Sequence, residues 1–177
     1  MLATPAPLLL VVLVGIPGSG KSTFAGDLIQ GSPHAADRSW SRVSQDVLGS
    51  RGRCIKKAEG ALRKGDHLII DRCNFDVPQR AHWLELRGPP PDLRVAVFLP
   101  MEQGLAQERI LGRRTHEGGV DAASMSEAKI ADIIHRMHSS LVPPTAAEGF
   151  DEVLLVEEDA DRPLALERIW ALSSSRS

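Results

Sequence analysis

The chain of 177 residues has no tyrosine, four phenylalanines and three tryptophans. So little aromatic surface excludes a long platform on which successive bases of a strand stack, though contact with a few terminal nucleotides stays open. The two cysteines, Cys54 and Cys73, suggest no disulfide framework and lack metal-ligand spacing, and no His or Cys cluster suggests zinc. The apolar run Leu8 to Val14 is seven residues, far short of the roughly 20 that a membrane span requires. No basic segment precedes it, as a secretory signal would need. These absences predict an intracellular protein, nuclear or cytoplasmic, with no membrane partner.

The net charge of −2 gives no overall positive field, but the charge is unevenly placed. Between Leu48 and Pro90, nine Lys and Arg stand against five acids. Between Asp151 and Asp161 there are six acids and no base. The basic segment is either a surface for an anionic polymer or a set of solvated helix faces.

The stretch "LLLVVLVGIPGSGKSTF" runs from a strand-like apolar run into a glycine-rich turn that fits G-x-x-x-x-G-K-[ST]. Glycines there let backbone N–H groups close around phosphates, the lysine reaches the outer phosphates, and the serine hydroxyl serves Mg²⁺. The following "KSTFAGDLIQG" reads as a helix ended by Gly31, the context the motif requires. Gly15, Pro17, Gly18, Ser19, Gly20, Lys21, Ser22 and Thr23 are therefore the expected ATP-binding loop.

Strand-like and helical runs alternate along the rest of the chain. "SWSRVSQD", "DHLIID", "DLRVAVFLP" and "FDEVLLVE" read as further strands. Helices are expected from about Gly52 to Lys64, in "PQRAHWLELRG", "MEQGLAQERILGRR", "SMSEAKIADIIHRMHSS" and "RPLALERIWAL". "THEGGVDAA" has the composition of a movable loop. With the phosphate loop, the pattern predicts an α/β phosphate-loop fold, a five-stranded parallel sheet with helices on both faces and a helical lid. Residues 1–177 form one expected domain, with ends frayed at about 1–6 and 173–177.

Three features have two readings each. Asp46 follows the second strand, as a base for an attacking hydroxyl or as a helix N-cap. Asp71 ends four apolar residues, as a metal-side acid or as a turn residue. Arg109 and Arg113 share a helix face before the glycine-containing loop, as lid arginines or as solvated residues paired with acids such as Glu108. His135 and His138 read as surface or packing residues, and Trp40, Trp83 and Trp170 as core.

Taken together, "GIPGSGKSTF", "RVSQDVLGSRGRC", "IIDRCNFDVPQR", "RILGRRTHEGG" and "PPTAAEGF" resemble the kinase domain of polynucleotide 5′-kinases. That domain occurs in animal polynucleotide kinase/phosphatase, and a similar phosphate-loop module is attached to plant-type aprataxin-like DNA repair proteins. The resemblance covers about Leu8 to Leu172. It implies an ATP-dependent kinase acting on a 5′-hydroxyl DNA or RNA end, serving as one domain of a larger end-repair protein. It implies Asp46 as general base, Lys21 and Ser22 as phosphate and metal residues, and Asp71 with Asn74 as the second acidic motif. Arg109 and Arg113 match lid arginines, and Arg53 an arginine near the acceptor strand. Two positions depart. Gln45 replaces an arginine often found before the base. Gly49 stands where the family's phage member carries an acceptor-phosphate arginine, so Arg51, Arg53 or Arg72 would take that contact. A sugar or nucleoside kinase of the same fold is the alternative. A nucleotide-binding module without catalysis fits less well with so complete a residue set.

Overall fold

The computed structural model describes residues 6–33, 38–112 and 125–174. The apolar run after Ala6 forms β1 (Leu9–Val14), the central strand of a five-stranded parallel sheet. It lies between β3 (His67–Asp71) and β4 (Leu93–Phe98), with β2 (Trp40–Ser44) and β5 (Glu152–Leu155) at the edges, in the order β2-β3-β1-β4-β5. A central parallel strand is covered on both faces, so β1 is apolar throughout rather than alternating.

Its two faces feed two cores. Leu10, Val12, Leu68 and Ile70 pack with Cys54 and Leu62 of α3 (Arg51–Lys64) and Trp83 of α4 (Val77–Leu84). Leu9, Val11, Ile69 and Val95 pack with Phe24 and Leu28 of α1 (Lys21–Gln30) and Ile169 of α7 (Asp161–Ser173). Each such side chain contributes roughly 1.5–3 kcal/mol by leaving water, so these cores hold the loops that carry function. A third, smaller core joins Ile16 of the glycine-rich turn to Ala106 and Ile110 of α5 (Gln103–Leu111) and to Ile130 and Ile134 of α6 (Glu127–Ser139).

All five expected strands form, and several boundaries move. Gln45 to Leu48 make a one-turn helix, α2, that periodicity does not announce in four residues. Ser44 is the cap residue of α2 and Ser50 caps α3, so Asp46 is not an N-cap. α4 ends at Leu84, before the "ELRG" expected to continue it. α5 ends at Leu111 with Gly112 as its cap residue, and the "THEGGVDAA" loop lies outside the described residues. Fraying does not reach Ala6 or Ser173, both of which are buried. Trp83 is core as expected, whereas Trp40 and Trp170 are half-buried at its edge. His135 and His138 are exposed on α6. Among the described residues no helix is long and apolar enough to cross a membrane.

Candidate active site

The glycine-rich turn leaves β1 at the carboxyl edge of the sheet, where loops from β3 and β4 meet it. Gly15 N–H donates to the Cys73 carbonyl (3.0 Å), and Leu99 N–H donates to the Val14 carbonyl (2.8 Å). A Cβ on Gly15 would lie 2.5 Å from Ser19 Oγ and 2.7 Å from the Leu99 carbonyl, so only glycine fits that junction. Gly18 and Gly20 have φ of +85° and +91°, a left-handed conformation that costs other residues about 1–2 kcal/mol. Gly20 caps α1, leaving the first amides of that helix as orphan donors for an anion. Lys21 is buried, and its Nζ donates to the Ile16 carbonyl (2.7 Å), bridging its own loop.

Beside the loop is a cavity of about 590 Å³, lined by Gly18, Gly20, Lys21, Ser22, Asp46, Asp71 and Arg72 among others. Phe75, Ile133 and Met137 give it apolar wall, and Arg136 of α6 also reaches it. The structure thus brings together residues from the ends of β1, β2 and β3.

Asp71, the last residue of β3, is buried and ion-paired. Arg42 Nε donates to its Oδ2 (2.8 Å), and Arg42 Nη2 lies 2.6 Å from the same oxygen. Arg72 lies with its guanidinium 5.5 Å from the centre of the Trp83 ring, a cation–π arrangement. Burial pulls the Arg72 pKa below its ordinary value, partly offset by nearby Cys54, Cys73 and Asp46, with Arg51 adding to the fall. Burial also pushes the Cys54 thiol up, making it an inert packing group.

Other expected residues stand elsewhere. Asn74 does not face an acceptor: it is buried at φ +47°, and its Nδ2 donates to the Leu13 (2.7 Å) and Arg72 (3.2 Å) carbonyls. Its Oδ1 accepts from Trp83 Nε1 (2.8 Å), so the amide braces the loop after β3 and leaves nothing to bind substrate. Arg51 and Arg53 are exposed at the start of α3, outside the cavity wall, with Arg51 Nη1 3.2 Å from His82 Nε2. Arg53 Nη1 lies 3.9 Å from where a Cβ on Gly49 would be. Gly49 itself has φ +76° at the end of α2, which explains a glycine there. Arg109 lines a second cleft of about 230 Å³ beside Ser19, and Arg113 lies outside the described residues.

Arg80 leaves the basic surface altogether. It is fully buried in α4, with Nε and Nη2 donating to Glu148 at 2.7 and 2.8 Å. Burial pushes the Glu148 carboxyl up, but hydrogen bonds from Arg80 and Thr145 N–H outweigh it and hold the pKa below the usual value. Sequence reasoning missed this pair, since 68 residues separate its members. It also missed Arg42, although β2 register with Asp71 two residues on (Ser44 opposite Asp71) is the kind of signal that finds it.

Among the described residues no group of three or more His, Cys, Asp or Glu could hold a metal ion. Mg²⁺ suits such a site, since it binds through one or two protein oxygens and completes its shell with water and substrate phosphates. The Ser22 hydroxyl and the Asp71 carboxylate in one cavity are a donor set of that chemistry.

A five-stranded parallel sheet with a phosphate loop leading into α1 is the fold of phosphate-loop kinases. The chain's sequence is similar to parts of longer proteins, polynucleotide phosphatase/kinases among them. It is 30% identical over 145 residues to the bifunctional polynucleotide phosphatase/kinase of Schizosaccharomyces pombe, covering 81% of this chain and 32% of that protein. It is 35% identical over 164 residues to an Arabidopsis thaliana protein named transcription factor bHLH140, covering 90% of this chain and 17% of that one. The chain thus spans under a third of either relative. No protein-family model matches it. Among solved structures the fold is similar to a fungal RNA kinase (TM-score 0.71, 10% identity, 94% of this chain and 87% of that one). It is also similar to Chaetomium thermophilum Kti12 in complex with ADP-AlF3 (TM-score 0.65, 17% identity, 94% and 100%). A Janibacter sugar kinase shares it too (TM-score 0.59, 14% identity, 95% and 99%).

Proposed function

We propose that the chain is a single kinase domain that transfers the γ-phosphate of ATP to the 5′-hydroxyl of a DNA or RNA end, in nucleic-acid repair. The observation that carries this reading is one cavity holding Lys21 and Ser22 of the phosphate loop together with Asp71, Asp46 and Arg72. Kinship to the polynucleotide phosphatase/kinases supports a polynucleotide acceptor over a sugar.

Asp46 accepts the proton of the 5′-hydroxyl as its oxygen bonds to the γ-phosphorus, and the bond from that phosphorus to the β–γ bridging oxygen breaks, releasing ADP. Lys21 turns from the Ile16 carbonyl to the β- and γ-phosphates, and the α1 amides hold the phosphate chain. Ser22 and Asp71 would hold Mg²⁺, which neutralises charge on the phosphate oxygens. Arg109 of α5 and Arg113 would add charge when the phosphates are enclosed. Arg72 meets the acceptor at its target end, and Arg51 and Arg53 hold the strand further out.

The test offers labelled ATP to 5′-hydroxyl DNA, 5′-hydroxyl RNA, nucleosides and sugars, with Mg²⁺ present. Transfer to an oligonucleotide at far higher kcat/KM than to any nucleoside or sugar is expected. A nucleoside or sugar used as well as an oligonucleotide replaces this reading with a small-molecule kinase.

A further inference from the structure

The Arg42–Asp71 pair falls on the one buried carboxylate that the reading above assigns to the metal. The Asp71 side chain is 3% exposed and that of Arg42 25%. A carboxylate so far out of water needs a cation beside it, because the unpaired charge costs several kcal/mol. The sheet supplies that cation. In the parallel register Ser44 lies opposite Asp71, so Arg42 stands two residues before it on the same face. The strand rises roughly 6.6 Å over those two residues, a span an extended arginine covers. Lys57 Nζ donates to the Arg42 carbonyl (2.7 Å), fixing the backbone that carries it to α3.

We propose that Arg42 is a positioning residue that holds Asp71 in place of the metal until a nucleotide arrives, and so makes divalent-cation binding depend on nucleotide. A divalent ion arriving alone meets a guanidinium already on Oδ2, with Lys21 and Arg72 in the same cavity wall. The phosphates of the nucleotide supply the negative charge that lets both cations stay. Metal and nucleotide binding are then coupled, and by linkage each strengthens the other equally. This inference rests on Asp71 being the metal acid.

The experiment follows Mn²⁺, a paramagnetic stand-in for Mg²⁺, by the loss of its free-ion EPR signal, without nucleotide and with ADP. Wild type should bind Mn²⁺ weakly alone and more than about tenfold more tightly with ADP, within the usual range of such coupling. Arg42→Met should bind Mn²⁺ alone about tenfold more tightly than wild type, and its melting temperature should rise more with Mn²⁺ than that of wild type does. Adding Asp71→Asn should abolish both effects. Equal nucleotide-free Mn²⁺ affinity in wild type and Arg42→Met overturns the proposal. If Arg42→Met does not fold, Arg42→Lys decides: its single ammonium should give a few-fold tightening, and an unchanged affinity overturns the proposal. Wild-type Mn²⁺ affinity with ADP in Asp71→Asn alone would instead overturn the assignment of Asp71 to the metal.

Discussion

Asp46 and Lys21 line one cavity, and the proposed reaction gives them different halves of the transfer. Asp46→Asn keeps the shape of the side chain and removes the proton acceptor, so kcat should fall about 10²- to 10⁴-fold with ATP affinity nearly unchanged. Near-wild-type turnover in that variant would reduce Asp46 to a surface residue of α2. In the proposed reaction Lys21→Ala removes the charge that turns to the phosphates, and should cost about 10²- to 10³-fold in kcat. A folded Lys21→Ala protein with normal activity would sink the donor site. His67 is a residue-scale case of another kind. It is 1% exposed, and its Nδ1 accepts from Leu9 N–H (3.2 Å), so the ring is neutral. Burial, then the Arg38 charge, pull its pKa from 6.5 down to about 4. Between those values the unfolded chain takes up a proton that the folded one refuses. The stabilisation is therefore whole above pH 6.5 and is lost as pH falls toward 4, by roughly 3 kcal/mol. His67→Asn keeps an acceptor that does not titrate. Urea midpoints of wild type should drop below those of His67→Asn across that window, and parallel curves would remove His67 as the cause.

Among the elements, α4 and the turn at Ala146–Glu148 hold the cavity wall from behind. Besides Glu148, Arg80 Nη1 donates to the Asn74 (2.9 Å) and Val142 (3.0 Å) carbonyls, while Val142 N–H donates to the Phe75 carbonyl (2.7 Å). One buried arginine thus joins α4, the exit of α6, the Glu148 turn and the loop that carries Arg72 and Phe75. Arg80→Met leaves a buried carboxylate and two carbonyls without their donor, and should cost about 3–5 kcal/mol in unfolding free energy. Arg80→Met with Glu148→Leu should recover part of that loss, since no unpaired charge remains. A single variant that loses less than about 1 kcal/mol would mean that the pair only fills space.

Over the whole molecule the basic residues divide by distance from the cavity. Arg72 lies in its wall, Arg51 and Arg53 stand on the exposed start of α3, and Arg80 is internal. Arg72→Ala should raise the acceptor KM for a short and a long oligonucleotide alike. Arg51→Ala and Arg53→Ala should raise it only for longer strands, each lowering the log–log salt slope by about 0.7. Unchanged KM and slope in all three variants would take the polymer away from this face.

Near the chain itself, the sequence determines a great deal. The apolar β1, the glycines that alone tolerate φ of +85° and +91°, the lysine after them and the alternation of strands with helices are all local properties. Local sterics and periodicity therefore announce the sheet and the phosphate loop with Lys21 and Ser22, and they single out Asp46 and Asp71 with two readings each. Tertiary structure alone decides which polar residues are consumed by the fold. Asn74 and Arg80 carry the same chemistry as binding residues, yet both are spent on buried carbonyls, an indole and a carboxylate. Arg42 meets Asp71 only because β2 lies beside β3 in a particular register. A side chain's type fixes what it can bond to. Partners up to 68 residues away, brought close by the packing of the sheet and helices, decide what it does bond to.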